Sequence, residues 1–132
     1  MANDIVMAFD FGLRKIGVAV GQSVTGTATP VAIVKATEGL PDWVHLDKLV
    51  EEWQPSRLVV GLPLNMDGTT SDMSVHAEKF GRRLNGRFHI EVKVMDERLT
   101  SREAREIANK GAGEVDDIAA KLILESYFRN NP

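Results

Sequence analysis

The sequence predicts a single mixed-sheet α/β domain over residues 1–132, and three observations carry that reading. The stretches "IVMAF" (5–9) and "RLVVGLPL" (57–64) are apolar enough to be strands buried on both faces. Between and after them, segments with helical spacing alternate with strands, the pattern of α-β crossovers. Ahead of the first helix, three short strands follow one another through tight turns, the pattern of an antiparallel meander.

Ile5 to Phe9 form the first strand, and it runs directly into a carboxylate, Asp10. "GLRK" makes the turn, with Gly12 free to adopt a positive φ. The second strand, "IGVAVG", has one bulky face (Ile16, Val18, Val20) and one small face (Gly17, Ala19, Gly21) suited to close packing. A third strand lies around Val31 to Val34. Gly39 and Pro41 introduce a helix with Trp43, Leu46, Leu49, Val50 and Trp53 on its apolar stripe, and Pro55 stops it. After the strand at 57–64, the turn-forming "NMDGTTSD" leads into a helix carrying Met73, Ala77, Phe80 and Leu84, with Gly86 placed to close it. "IEVKVM" alternates, placing Ile90, Val92 and Val94 on one side. Thr100 and Glu103 have capping-box spacing for a short helix from Ser101 to near Gly111. The final helix carries "DDIAAKLILESYF". The expected order is β-β-β-α-β-α-β-α-α around a five-stranded sheet.

Composition narrows the function classes. With 43% hydrophobic and 27% charged residues the chain is far from the disordered regime. It has no cysteine, which excludes disulfides, thiol nucleophiles and cysteine-based zinc sites. Neither a signal-peptide pattern nor a run long enough to cross a membrane is present, so the expected location is the cytoplasm. A formal charge of −3 argues against indiscriminate polyanion binding. Residues 78–110 nevertheless hold nine bases and six acids, a local excess of +3.

Carboxylates stand where the apolar elements end. Asp10 closes the first strand, Asp96 and Glu97 close the last, and Asp116 and Asp117 open the final helix. Ligands of α/β sheets gather outside the carboxyl ends of the strands, where Asp10 and Glu97 can meet. On the final helix, Asp116 shares the stripe of Ala119, Ala120, Ile123 and Tyr127 that faces a sheet. Asp117 stands four residues before Lys121, the spacing of a surface ion pair. Three converging carboxylates repel one another, and a divalent cation removes that cost. Hard oxygen donors suit Mg²⁺ or Mn²⁺ rather than zinc, and one or two such ions would serve phosphodiester hydrolysis. His45, His76 and His89 have no ligand spacing.

The blocks "AFDFGLRKIGVAVG", "VVGLPLNMDGT", "DERLTSREA" and "VDDIAAKLILESY" together resemble the YqgF family, also called RuvX, across almost the whole chain. The resemblance implies an RNase H-like fold and a nuclease whose acidic positions match Asp10, Glu97 and Asp116. It implies maturation of the 5′ end of pre-16S rRNA, with Holliday junction resolution on branched DNA as the alternative and a noncatalytic RNA-binding factor as a third. A ribosomal or protein partner fits the first of these. Asn65, Arg98 and Arg14 are the candidate substrate contacts, Asn65 by a hydrogen bond to phosphate and Arg98 at the scissile phosphate. Gly111 to Glu114 form a short connection without a base. "DFGLRKIGVAV" also resembles the phosphate-binding hairpin of actin-like ATPases, but those enclose ATP between two such domains, and this length holds one.

Overall fold

A computed structural model describes residues 4–63, 65, 67–97 and 117–131. Its centre is strand β1 (Ile5–Asp10), in which Met7, Ala8 and Phe9 are wholly buried, as the unbroken apolar run requires. β1 pairs antiparallel with β2 (Lys15–Gln22), and β2 pairs antiparallel with β3 (Thr27–Thr37), completing the expected meander. On its other side β1 runs parallel to β5 (Arg57–Leu62), which runs parallel to β6 (Glu91–Asp96).

Among the described residues the sheet has six strands rather than five, with a short β4 (Leu40–Pro41) at one edge, in the order β4-β3-β2-β1-β5-β6. This extra strand folds back on Thr37 and Ala36. Glu38 (φ 49°) and Gly39 (φ 85°) both lie in the left-handed region and make the tight hairpin turn that such a short return needs. β3 is also longer than expected. Its Pro30 sits at an irregularity where β2 shifts register between Val18 and Ala19, a place where a missing N–H costs the ladder little. Gly12, expected to use a positive φ, does not. A side chain there would come within 2.6 Å of the Lys15 carbonyl oxygen, so close approach is the reason for glycine.

Two helices cover one face of the sheet. In α1 (Trp43–Trp53) the Asp42 side chain accepts from the His45 N–H at 3.3 Å, and left-handed Gln54 ends the helix just before Pro55. In α2 (Asp72–Phe88) Ser71 and Ser74 cap each other reciprocally. Leu46 and Leu49 of α1 join Ala77, Phe80 and Leu84 of α2 against Met7, Phe9, Ile16, Val18 and Val60. Phe80 meets Phe9 edge-on at 5.5 Å. α2 does not close at Gly86. It continues to Phe88, which packs on the core and near Trp43, and His89 takes the left-handed position, donating its N–H to the Asn85 carbonyl.

The opposite face carries α3 (Asp117–Asn130), with Ile123, Leu124, Tyr127 and Phe128 against Val6, Ala8, Val59 and Met95. The small face of β2 serves the purpose expected of it: a methyl group at Gly21 would lie 3.1 Å from Phe128 Cε2. β6 is an edge strand among the described residues, and its alternation places Val92 and Val94 on the α2 side as expected, with Ile90 and Val92 packed against the core there. Val94, further along, is 52% exposed, and on the opposite face Met95 is buried under α3. The expected helix from Ser101 to Gly111, and the connection from Gly111 to Glu114, lie outside the described residues. No helix among the described residues is long and apolar enough to cross a membrane.

Candidate active site

Strand parity decides which acids share a face. On β1, Val6 and Ala8 face α3, so Asp10, two residues on, falls on the α3 side at the strand's carboxyl end. On β6, Met95 faces α3 and Glu97 follows with the same parity, while Asp96 falls on the α2 side. Between these strands runs β5, whose Val59 faces α3 and whose Gly61 is two residues further on. The Glu97 carboxylate lies directly over Gly61: a β-carbon there would meet Glu97 Oε2 at 2.7 Å and Ile123 Cδ1 at 2.5 Å. Asp10 and Glu97 are thus brought to the same end and face of the sheet, each half-buried and each engaged in contacts with its surroundings.

Gly61 is the residue that sequence reasoning missed. A glycine inside an otherwise bulky buried strand is the available signal for a close approach from above. Here the approaching group is a carboxylate.

The direction of α3 completes the geometry. Ile123 lies over Gly61 near the carboxyl end of β5, and the Tyr127 hydroxyl accepts from Arg57 Nη1 at 2.9 Å at that strand's start. The amino-terminal end of α3 therefore points toward the carboxyl ends of β1 and β5. Asp116, immediately before α3, lies outside the described residues, as do Arg98 and the Asp117 side chain of the expected pair with Lys121. Among the described residues no group of three His, Asp or Glu side chains could hold a metal ion. Asp10 and Glu97 supply two carboxylates, a hard donor set that fits Mg²⁺ or Mn²⁺ once a third oxygen ligand and water complete the shell. The histidines stand elsewhere: His45 is on α1, His76 on α2, and His89 caps α2.

Two further candidates, Arg14 and Asn65, lie on the turns that follow β1 and β5. Arg14 is exposed on the β1–β2 turn, and its carbonyl oxygen accepts from the Ala36 N–H at 2.8 Å. Asn65 braces the loop after β5, its amide nitrogen donating to Thr69 Oγ1 at 3.0 Å and to the Thr70 carbonyl at 3.3 Å. Asp67 accepts from the Thr69 N–H and hydroxyl, and the Ser71 hydroxyl donates to the Pro63 carbonyl at 2.6 Å. The Asn65 side-chain N–H groups thus bond within the loop at the carboxyl end of β5.

A family model described as "RuvX: Holliday junction resolvase" matches residues 4–130. The chain belongs to the RuvX family. Among its RuvX relatives is a protein of Actinobacillus succinogenes, 54% identical over 134 aligned positions that cover 96% of each chain. Another, from Chromohalobacter salexigens, is 56% identical and covers 96% of this chain and 90% of the relative. Both carry the name "Putative pre-16S rRNA nuclease". Of solved structures, Thermus thermophilus RuvC in complex with a Holliday junction substrate superposes with a TM-score of 0.60 at 14% identity, covering 96% of this RuvX chain and 94% of RuvC. The fowlpox virus resolvase in complex with its Holliday junction DNA gives 0.55 at 15% identity, covering 96% and 97%. At such identities the likeness establishes the fold: this RuvX chain has the RNase H-like architecture of the resolvases.

Proposed function

We propose that the chain is a metal-dependent nuclease that hydrolyses phosphodiester bonds in maturing the 5′ end of pre-16S rRNA, in the cytoplasm where that RNA is made. Full-length identity of about half to relatives bearing that name is the observation that carries the substrate. The reaction is supported by Asp10 and Glu97 sharing one face at the carboxyl ends of two strands.

In this reading Asp10, Glu97 and Asp116 together hold Mg²⁺ or Mn²⁺, as one or two ions. When bound, the ion supplies Lewis-acid charge at the phosphodiester and eases deprotonation of the attacking water. Asp10 fixes the site because it ends a strand buried on both faces and hydrogen-bonded on both sides. Glu97 is held by the fit of its carboxylate over Gly61 against Ile123. Water adds to phosphorus, one P–O bond breaks, and the products are a phosphate monoester and a hydroxyl end. Arg14 and Arg98 would contact substrate phosphates. A ribosomal or protein partner would present the precursor.

The family's own description favours a second reading, resolution of four-way DNA. Two labelled substrates separate the readings: an RNA spanning the pre-16S 5′ junction, and a four-way DNA junction, each in Mg²⁺ and Mn²⁺. Metal-dependent cleavage of the RNA is the expected result. Symmetric cutting of the junction with the RNA untouched would replace it with the resolvase reading. Tight RNA binding without cleavage would replace both with a noncatalytic binding factor.

A further inference from the structure

A pocket of about 360 Å³ opens beside the end of β1, on the side of the sheet away from Asp10. Phe11 and the β3–β4 turn (Thr37, Glu38, Gly39, Leu40) form one side, and His76, Lys79 and Arg83 of α2 form the other. The turn is tied to the β1–β2 turn, with the Gly39 N–H donating to the Leu13 carbonyl at 2.9 Å and the Ala36 N–H to Arg14. That side of the pocket is therefore a fixed floor.

Some cations of the chain are neutralised by neighbouring acids. Arg87 is held by Asp47 through two bonds of 2.8 Å, and Arg57 and Lys93 are held by Glu91. Lys79 and Arg83 have no acidic partner among the described residues, and both are exposed. The pocket's own carboxylate, Glu38, leaves two bases against one acid. The groove on the other side of α2, lined by Glu78, Gly81, Arg82, Asn85, Val92 and Val94, balances one base with one acid. Leu40, 51% exposed, adds an apolar surface at the rim. A polyanion carrying apolar faces matches this combination, and a nucleic-acid strand is both.

We propose that this pocket seats a backbone phosphate of the RNA strand flanking the scissile bond, with Lys79 and Arg83 as its cations and Leu40 against the sugar or base. The assignment rests on the nuclease reading above. Phe11 adjoins Asp10 in the chain, so a strand crossing the end of β1 passes from the carboxylates into the pocket.

The test uses the full chain and a fluorescein-labelled single-stranded RNA spanning the pre-16S 5′ junction, read by anisotropy across a salt series and by KM. Lys79→Ala and Arg83→Ala should each weaken RNA binding about fivefold near 0.1 M salt and reduce the salt slope by about 0.7, the share of one single-strand phosphate contact. Arg82→Ala, which removes the same charge from the same helix on its other side, should leave both unchanged. All three positions are exposed, and thermal melts confirm the fold. Wild-type protein that cuts the RNA, with Arg83→Ala no weaker than Arg82→Ala, overturns the pocket and leaves the nuclease reading standing. Losses confined to a four-way DNA junction overturn its assignment to RNA. A wild-type chain that neither binds nor cuts the RNA overturns the nuclease reading and the pocket with it.

Discussion

Replacing Gly61 by alanine tests the fit on which the carboxylate site depends. Gly61 is not in the left-handed region, so alanine meets no backbone strain there. The new methyl would meet Glu97 Oε2 at 2.7 Å and Ile123 Cδ1 at 2.5 Å, whereas ordinary contact begins at 3.4 Å. Both atoms are the far ends of side chains, but they differ in freedom. Ile123 is 2% exposed within the α3 core, while Glu97 is half-buried at the sheet edge, so the carboxylate yields more readily. Overpacking a filled site costs about 1–3 kcal/mol. Removing a glycine returns about 0.4–1 kcal/mol through the unfolded chain. The net loss of about 1 kcal/mol leaves the protein folded. A catalytic group displaced toward 1 Å costs about 10²-fold in rate, so single-turnover cleavage should fall roughly 30- to 100-fold. Urea unfolding and cleavage measured on the same preparation separate the two effects. A Gly61→Ala protein that cuts at the wild-type rate would refute the argument that this glycine makes room for Glu97.

The remaining predictions concern the scaffold. Gly21→Ala drives a methyl into the Thr27 carbonyl oxygen and toward Phe128 under the far end of α3. It should lower stability by about 1–3 kcal/mol in urea melts while the folded protein keeps its kcat. Ser71→Ala removes the α2 cap and the donor to Pro63, and the urea midpoint should fall by the equivalent of about 1–2 kcal/mol. The hydrogen bond from Arg87 holds the Asp47 carboxyl below its ordinary value of 3.8. Because the folded value is depressed, the resulting stability is present above the unfolded value and lost as pH falls through the folded one. Between pH 6 and pH 3 the wild type should therefore lose more stability than Asp47→Asn, and parallel curves would refute the linkage.

Most of the fold could be read from the chain because its strands are of the kind that announce themselves. β1 and β5 are buried on both faces and read as unbroken apolar runs, and α1 and α2 each carry a full apolar stripe. What escaped depends on single backbone conformations. β4 exists because two consecutive residues, Glu38 and Gly39, turn left-handed, and α2 outlasts Gly86 because His89 accepts that conformation instead. In β6 the alternation was legible, with Ile90 and Val92 packing on the α2 side, but it did not reveal that the opposite face, at Met95, is covered by α3. At the site, Asp10 was conspicuous as a carboxylate ending a buried strand. The partition of Asp96 from Glu97 follows from parity once Met95 is placed under α3. Gly61 was hidden because its importance lies in what stands over it, a group 36 residues later in the chain. The Arg57–Tyr127 bond that sets the direction of α3 joins residues 70 apart and has no local trace.

The central claim is that Asp10 anchors a divalent cation for phosphodiester hydrolysis. Asp10→Asn keeps the size of the side chain and removes its charge. The decisive measurement is single-turnover cleavage of the pre-16S 5′ junction RNA by wild type and Asp10→Asn across a Mn²⁺ titration, with folding verified for both. The account predicts Mn²⁺-dependent cutting by the wild type and none by the folded variant. Full activity in Asp10→Asn, or cutting by the wild type that is indifferent to the metal, would contradict it.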